Sequence, residues 1–210
     1  MKQKILFHVG LHKTATSSLQ KDFFIPKYRF LQHPKGGRFW LPIFVNKFST
    51  EPLCGSNQEE IQNFVDLAYS DDLLPVVSHE RLSGYPISGG YDRLSIYNRI
   101  ASLNLDVKIL FVMREQKDWI YSAWRQMISD GGSISLRKFI QQKASMPNVR
   151  TPSPRYEYLN YYLEIQNLYS LFGSENVLVF PFEIIKHDFT NFCERLSSLL
   201  EIEFERDVPV

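Results

Sequence analysis

Cysteine is nearly absent from this chain. Cys54 and Cys193, the two present in 210 residues, lie far apart without Cys-x-x-Cys or Cys/His spacing, which excludes a disulfide framework or a zinc site as organiser and suits a reducing compartment. Charge imbalance is lacking too: 24 Lys and Arg face 23 Asp and Glu, for a formal charge of +1. Without a basic footprint no nucleic-acid partner is expected, and any anion must be held by a local arrangement. No apolar run approaches the roughly 20 residues of a membrane span. The opening "MKQKILFHVG" is interrupted too early for a signal peptide, so the expectation is a cytoplasmic protein. Glycine is sparse at ten residues, and neither GxxxxGK[ST] nor GxGxxG occurs. Counted from Gly10, the first motif would need a glycine and a lysine where this chain has Ala15 and Thr16.

At 210 residues and 44% hydrophobic, the chain has material for one domain, 1–210. Four apolar, β-branched runs, "KILFHV" (4–9), "LLPVVS" (73–78), "VKILFVM" (107–113) and "NVLVFPF" (176–182), read as buried strands. Between them, 14–24, 58–69, 92–103, 116–130, 134–144, 155–172 and 188–200 have helical spacing. The alternation predicts a three-layer α/β/α fold around a mostly parallel sheet of four to five strands. Pro26, Gly131–Gly132 and Gly173 punctuate the helices. Two stretches rich in aromatics, Gly and Pro, 28–48 and 81–91, read as loops over a ligand site; segments 28–60 and 81–91 are the expected acceptor-site or lid loops.

In an open parallel sheet a ligand sits beyond the carboxyl ends of the strands, where a helix start offers unpaired N–H groups to an anion. "HVGLHKTATSSLQ" (8–20) follows the first strand there, with Lys13 and the hydroxyls of Thr14, Thr16, Ser17 and Ser18 within one helical turn. The chemistry it suits is a phosphate. A Ser/Thr cluster alone would only cap a helix, but a second candidate follows the third strand in "FVMREQKDWIYSAWRQM", where Arg114 and Ser122 are two helical turns apart on nearly one face. Arginine's planar fork and a hydroxyl suit a second, terminal phosphate.

These two stretches resemble the 5′-phosphosulfate loop and the 3′-phosphate motif of sulfotransferases that use 3′-phosphoadenosine 5′-phosphosulfate (PAPS), in the same order and on corresponding strands. "ENVLVFPFEIIKHDFTNFCERLSSLLEIEF" (175–204) is similar to the closing segment of bacterial and Golgi carbohydrate sulfotransferases. The resemblance implies a P-loop-like fold, a PAPS co-substrate with no metal, and a hydroxyl acceptor on a carbohydrate or glycolipid. It implies that Lys13 contacts the oxygen bridging phosphate and sulfate, that Thr14, Ala15, Thr16 and Ser17 wrap the 5′-phosphate, and that Arg114 and Ser122 hold the 3′-phosphate. Ala15 departs from the family's glycine, Ser18 stands where many cytosolic members carry a loop tryptophan, and their Arg-Lys-Gly loop is missing.

Transfer to a hydroxyl needs a base, in this family a Glu or a His. "SHERLSG" puts His79 and Glu80 at the end of the second predicted strand; neighbours on a strand face opposite ways, and Glu80 is preferred because bacterial members often carry Ser-x-Glu there. His12 could line the same cleft, His8 reads as a core histidine, and His33 and His187 are weaker candidates. The run "YEYLNYYLEIQNLY" (156–169) reads as core packing, whereas Phe39 and Trp40 are candidates for stacking on an acceptor ring. Two alternatives stand beside the transferase: a nucleotide-dependent kinase with Glu80 as a magnesium ligand, and a non-catalytic binding protein on a degenerate scaffold.

Overall fold

The computed structural model describes residues 2–45, 55–85, 90–140 and 156–204. Five parallel strands form one sheet: β1 (Lys4–His8), β2 (Phe30–Gln32), β3 (Leu74–Ser78), β4 (Asp106–Met113) and β5 (Val177–Pro181), in the order β2-β3-β1-β4-β5. The near-continuous apolar strands have the composition of strands covered on both faces. Their period of two divides the core. Ile5, Phe7, Val77, Ile109 and Phe111 enter one hydrophobic cluster, and Leu6, Val76, Leu110, Val112 and Phe180 the other.

The first cluster packs under α2 (Leu41–Phe44), α3 (Gly55–Ser70), α4 (Arg93–Ala101) and α7 (Tyr161–Phe172); the second is closed by α8 (Phe182–His187) and α9 (Phe189–Leu200). Phe192, Leu196 and Leu200 recur at helical spacing on α9 and are fully buried. Asp188 caps that helix by accepting from the Asn191 N–H at 3.0 Å. Two further helices, α5 (Gln116–Ser129) and α6 (Leu136–Ile140), follow β4. Predicted helix 14–24 is observed as a short α1 (Thr16–Ser18) winding directly into a π-helical turn over Leu19–Phe23.

The largest departure from expectation lies in 28–48. Its described part is built into the body of the fold: it supplies edge strand β2, a 3-10 turn over Gly37–Trp40, and α2. Trp40 is 1% exposed and packs on Phe39, Phe44 and Phe64, so it is a core residue and not an acceptor platform. Phe39 is covered by the His33 ring, stacked with centroids 3.6 Å apart, which removes that face from an acceptor and uses up the His33 ring. Of the rest of the expected loops 28–60 and 81–91, residues 55–60 begin α3 and 81–83 belong to a 3-10 turn over Glu80–Ser83, while 46–54 and 86–89 lie outside the described residues, as does Cys54. Cys193 is buried in the second cluster and its thiol is pushed up to about 12 by burial, an inert packing residue.

The direction in which strands are added to the sheet reverses between β1 and β4. From β1 the chain leaves toward β3 and β2, and from β4 toward β5, so the carboxyl ends of these two neighbours form the topological switch point of the sheet. Pairing continues past β1 proper, with the Val9 and Leu11 N–H groups donating to Leu110 and Val112 carbonyls. The loop that follows is therefore delivered beside the end of β4.

Candidate functional site

At that switch point the chain turns sharply over residues that are not glycine. Lys13 and Ala15, on either side of Thr14, both adopt left-handed backbone conformations, with φ of 68° and 59°. For a residue with a β-carbon this costs on the order of 1 kcal/mol each. Such turns curl successive N–H groups into a concavity suited to an anion. The Ala15 position is where the sequence departs from the family's glycine, and the backbone takes up the glycine-like conformation regardless.

Side chains in the loop divide by role. Thr14 is fully buried and its hydroxyl donates to the Leu11 carbonyl, so it braces the loop from within. Thr16, at the start of α1, is 6% exposed, and its Oγ1 is buried without a hydrogen-bond partner. Ser17 is exposed. Lys13 is exposed and its Nζ donates to Gln126 Oε1 at 2.6 Å, which ties the loop to the last turn of α5. Gly10 is needed for close approach: a β-carbon there would lie 2.6 Å from His8 Nε2 and 3.1 Å from Thr14 Oγ1.

Beneath the loop, His8 is a core histidine as expected. Its Nδ1 lies 2.8 Å from Ser78 Oγ, and burial drives its pKa down to about 3. Gln20 Nε2 donates to the Ser78 carbonyl and hydroxyl at 2.6 and 3.0 Å, so the π-helical turn is anchored to β3.

Arg114 sits just past β4. Its Nη1 donates to the Lys13 carbonyl at 3.1 Å and its guanidinium lies 5.2 Å from the Phe182 ring centroid, while its Nε is buried without a partner. One arginine thus touches the loop of the first motif from the strand of the second. Ser122 is half-buried on α5, one helical turn before Gln126. Glu115 caps α5 by accepting from the Asp118 N–H at 2.8 Å, so the nearest acid serves the helix and leaves Arg114 to other partners.

At the end of β3, His79 and Glu80 separate clearly. His79 is 7% exposed, and its Nδ1 accepts from the Arg81 N–H at 3.0 Å, capping the 3-10 turn Glu80–Ser83. With Nδ1 spent as an acceptor, a neutral His79 carries its proton on Nε2 and has no lone pair left for a base. Burial lowers its pKa, opposed by Glu80. The Glu80 side chain is 36% exposed, with an oxygen 3.9 Å from the His79 ring. Arg81 is turned away into an ion pair with Asp92 at 2.9 Å and over the Tyr85 ring at 4.7 Å.

No family model matches the chain, and no curated protein matches it. Among solved structures it is similar to a sulfotransferase from Alicyclobacillus acidocaldarius, with a TM-score of 0.63 and 20% identity over 100% of this chain and 86% of that one. The fold is that of the sulfotransferases. The sulfotransferase domain from the curacin biosynthetic pathway superposes with a TM-score of 0.54 at 12% identity, covering 98% of this chain and 76% of that one. A mouse sulfotransferase, SULT7A1, in a structure complexed with PAP, gives 0.56 at 14% identity, covering 98% of this chain and 61% of that one.

On this sulfotransferase fold the candidate residues assemble at one edge of the sheet: Lys13 and Thr16 after β1, His79 and Glu80 after β3, Arg114 after β4. Three residues that sequence reasoning did not assign also join them. Gln126 receives the lysine, the Trp119 indole N–H donates to the His12 carbonyl at 2.7 Å, and the Tyr158 hydroxyl lies 3.3 Å from His12 Nδ1. Tyr158 comes from the tyrosine run read as core, where it is indeed 1% exposed. A tyrosine is a hydrophobic body with a polar tip, and that was the available signal.

Proposed function

We propose that the protein is a transferase that moves a sulfuryl group from PAPS to a hydroxyl. One observation carries the reading. Thr16 Oγ1 and Arg114 Nε are buried donors with no acceptor in the protein, on the two motifs that meet at the switch point beside Lys13. Buried donors are ordinarily satisfied, and the two phosphates of one bound nucleotide would satisfy one each. The residues present fit the donor: a curled backbone and Thr14–Ser17 for the 5′-phosphate, Arg114 and Ser122 for the 3′-phosphate.

In the reaction the acceptor oxygen forms a bond to sulfur as the bond from sulfur to the bridging oxygen breaks. The leaving phosphate carries away that electron pair. Lys13 moves from Gln126 to the bridging oxygen and offsets the charge growing on it, while the loop fixes the line of attack. The proton of the acceptor hydroxyl needs a base at this edge of the sheet; His79 is committed, and the open Glu80 carboxylate supplies the negative charge that favours proton removal there. The resemblance of 175–204 to carbohydrate sulfotransferases supports a glycan or glycolipid acceptor.

Calorimetric titration with 3′-phosphoadenosine 5′-phosphate (PAP), with ATP as control, tests the reading. PAP is expected to bind at least tenfold more tightly than ATP, and Arg114→Ala to abolish that preference. Equal affinity for the two nucleotides would remove the 3′-phosphate from the proposal and the sulfuryl donor with it.

A further inference from the structure

A buried polar chain runs from the interior to the carboxyl edge of the sheet and ends on His12. It starts at Glu164 on α7, 1% exposed, which accepts from the Tyr97 hydroxyl and pairs with Arg93 Nη1 at 2.5 Å. Arg93 Nε donates to the Ser83 carbonyl at 2.9 Å, Nη2 to the Tyr158 carbonyl at 3.3 Å, and the guanidinium lies 4.8 Å from the Tyr158 ring centroid. One buried ion pair therefore clamps both the turn that carries Glu80 and the residue that touches His12.

Counting protons along the last links fixes the histidine tautomer. Ser83 Oγ lies 2.8 Å from the Glu80 carbonyl, which can only accept, so the Ser83 proton goes there. Ser83 Oγ is then an acceptor for the Tyr158 hydroxyl at 3.0 Å, the shorter of the two side-chain contacts that hydroxyl makes. Its proton spent, Tyr158 can meet His12 Nδ1 at 3.3 Å only if Nδ1 carries a hydrogen. The Gly10 carbonyl, 3.3 Å from Ser83 Oγ, is the longer of the two carbonyls open to the serine proton, so the assignment downstream of Ser83 is the same with either; it leaves a lone pair on His12 Nε2. His79 has the opposite tautomer.

We propose that His12 is a further catalytic residue of this site: its Nε2 takes the proton of the incoming hydroxyl, Glu80 balances the imidazolium, and Tyr158 positions the ring. The inference rests on the sulfuryl-transfer reading. The O–H bond of the acceptor breaks and an N–H bond forms on His12 as the new O–S bond forms; the proton afterwards returns to solvent. Burial keeps the imidazole neutral in the resting protein, lowering its pKa to about 4. Glu80 is the strongest of the neighbouring charges and favours the protonated form, against Arg81, His79 and Lys13, which oppose it. The arrangement is a base oriented through its other ring nitrogen, as in nucleophile-activating triads.

Two measurements on the full chain decide it. Long-range ¹H–¹⁵N spectra, with His12→Gln identifying the ring by the signal it removes, are expected to show the Nδ1–H tautomer and a shift of that signal in Tyr158→Phe; an Nε2–H tautomer overturns the proposal. PAPS hydrolysis, with water in place of the acceptor, is expected to fall about 100-fold in His12→Gln, with the Kd for PAP within threefold of the parent. In Tyr158→Phe, which removes a single oxygen and carries the kinetic arm should His12→Gln not fold, kcat is expected to fall about tenfold at unchanged KM. An unchanged hydrolysis rate in both variants overturns the role of His12 even if PAP binds well. Failure of the parent to bind PAP would instead overturn the donor reading, and the tautomer spectrum is independent of it.

Discussion

The two edges of the parallel sheet treat their polar groups in opposite ways. At the amino edge the charges are paired: Lys4 with the Leu200 carbonyl and Glu201, Lys108 with Asp106 and Asn176, Arg29 with Asp72. A cleft of about 570 Å³ opens there, lined by Lys4, Tyr69, Asp106, Asn176 and Glu201 among others. At the carboxyl edge Lys13 and Ala15 are held left-handed, and Thr16 Oγ1, Arg114 Nε and His8 Nε2 are buried without partners. Empty volume alone does not mark a ligand site. Left-handed backbone alone does not either, since Arg29, Asp72 and Glu201 at the amino edge adopt it too; unmet hydrogen-bonding capacity does, because a fold keeps such a cost only where something else offsets it.

Acid should break the comparison most strongly. Burial lowers the pKa of His8 to about 3 against 6.5 for the free side chain, so between those values the unfolded chain binds a proton that the folded one refuses. Stability therefore rises with pH across that window, and what is present above pH 6.5 is lost as pH falls toward 3, roughly 5 kcal/mol in all at about 1.4 kcal/mol per unit. Urea titrations from pH 7 to 4 check this, with His8→Gln expected to flatten the slope. An unchanged slope would place the acid sensitivity elsewhere.

A lysine exchange at each edge comes next. Lys13→Ala is expected to reduce PAPS turnover about 10²- to 10³-fold, with stability altered by less than about 0.5 kcal/mol because the side chain is exposed. Lys108→Ala, at the paired amino edge, is expected to leave PAP affinity unchanged. Parallel turnover assays and thermal melts separate the two, and equal losses of stability and activity in Lys13→Ala would count against its catalytic role.

Ala15→Gly sharpens the point about strain. Relief of the left-handed alanine at φ 59° should outweigh the added freedom of the unfolded chain and raise stability by about 1 kcal/mol. A loss of stability would mean that the alanine methyl packs usefully. The smallest effect is expected at the amino edge, where Asp72→Asn removes an exposed ion pair with Arg29 and should change stability by less than about 0.5 kcal/mol in the same melts.

Much of the fold was readable because its strands are apolar on both faces and its helices begin and end on recognisable residues. Gly173, for example, stops α7 with φ 82°, and Asn160 caps it by accepting from the Leu163 N–H. Edge strand β2, three residues long, was not readable: too short to show a period, it exists because Leu74 and Val76 offer it a partner. Trp40 beside two glycines looked like a loop aromatic, and only the packing of the 37–40 turn under α3 turns it inward.

The site divides along the same line. By itself the sequence determined which chemistry was on offer: a lysine, hydroxyls and an arginine placed just beyond strand ends, since local spacing sets where a strand gives way to a helix. Only the tertiary structure shows that His79 Nδ1 is spent, because which ring nitrogen accepts depends on the N–H that the Glu80–Ser83 turn directs at it. It alone brought Tyr158 to His12 and Gln126 to Lys13, pairs separated by 146 and 113 positions in the chain. Contacts at that separation leave no local pattern; they arise when the two faces of the sheet are packed.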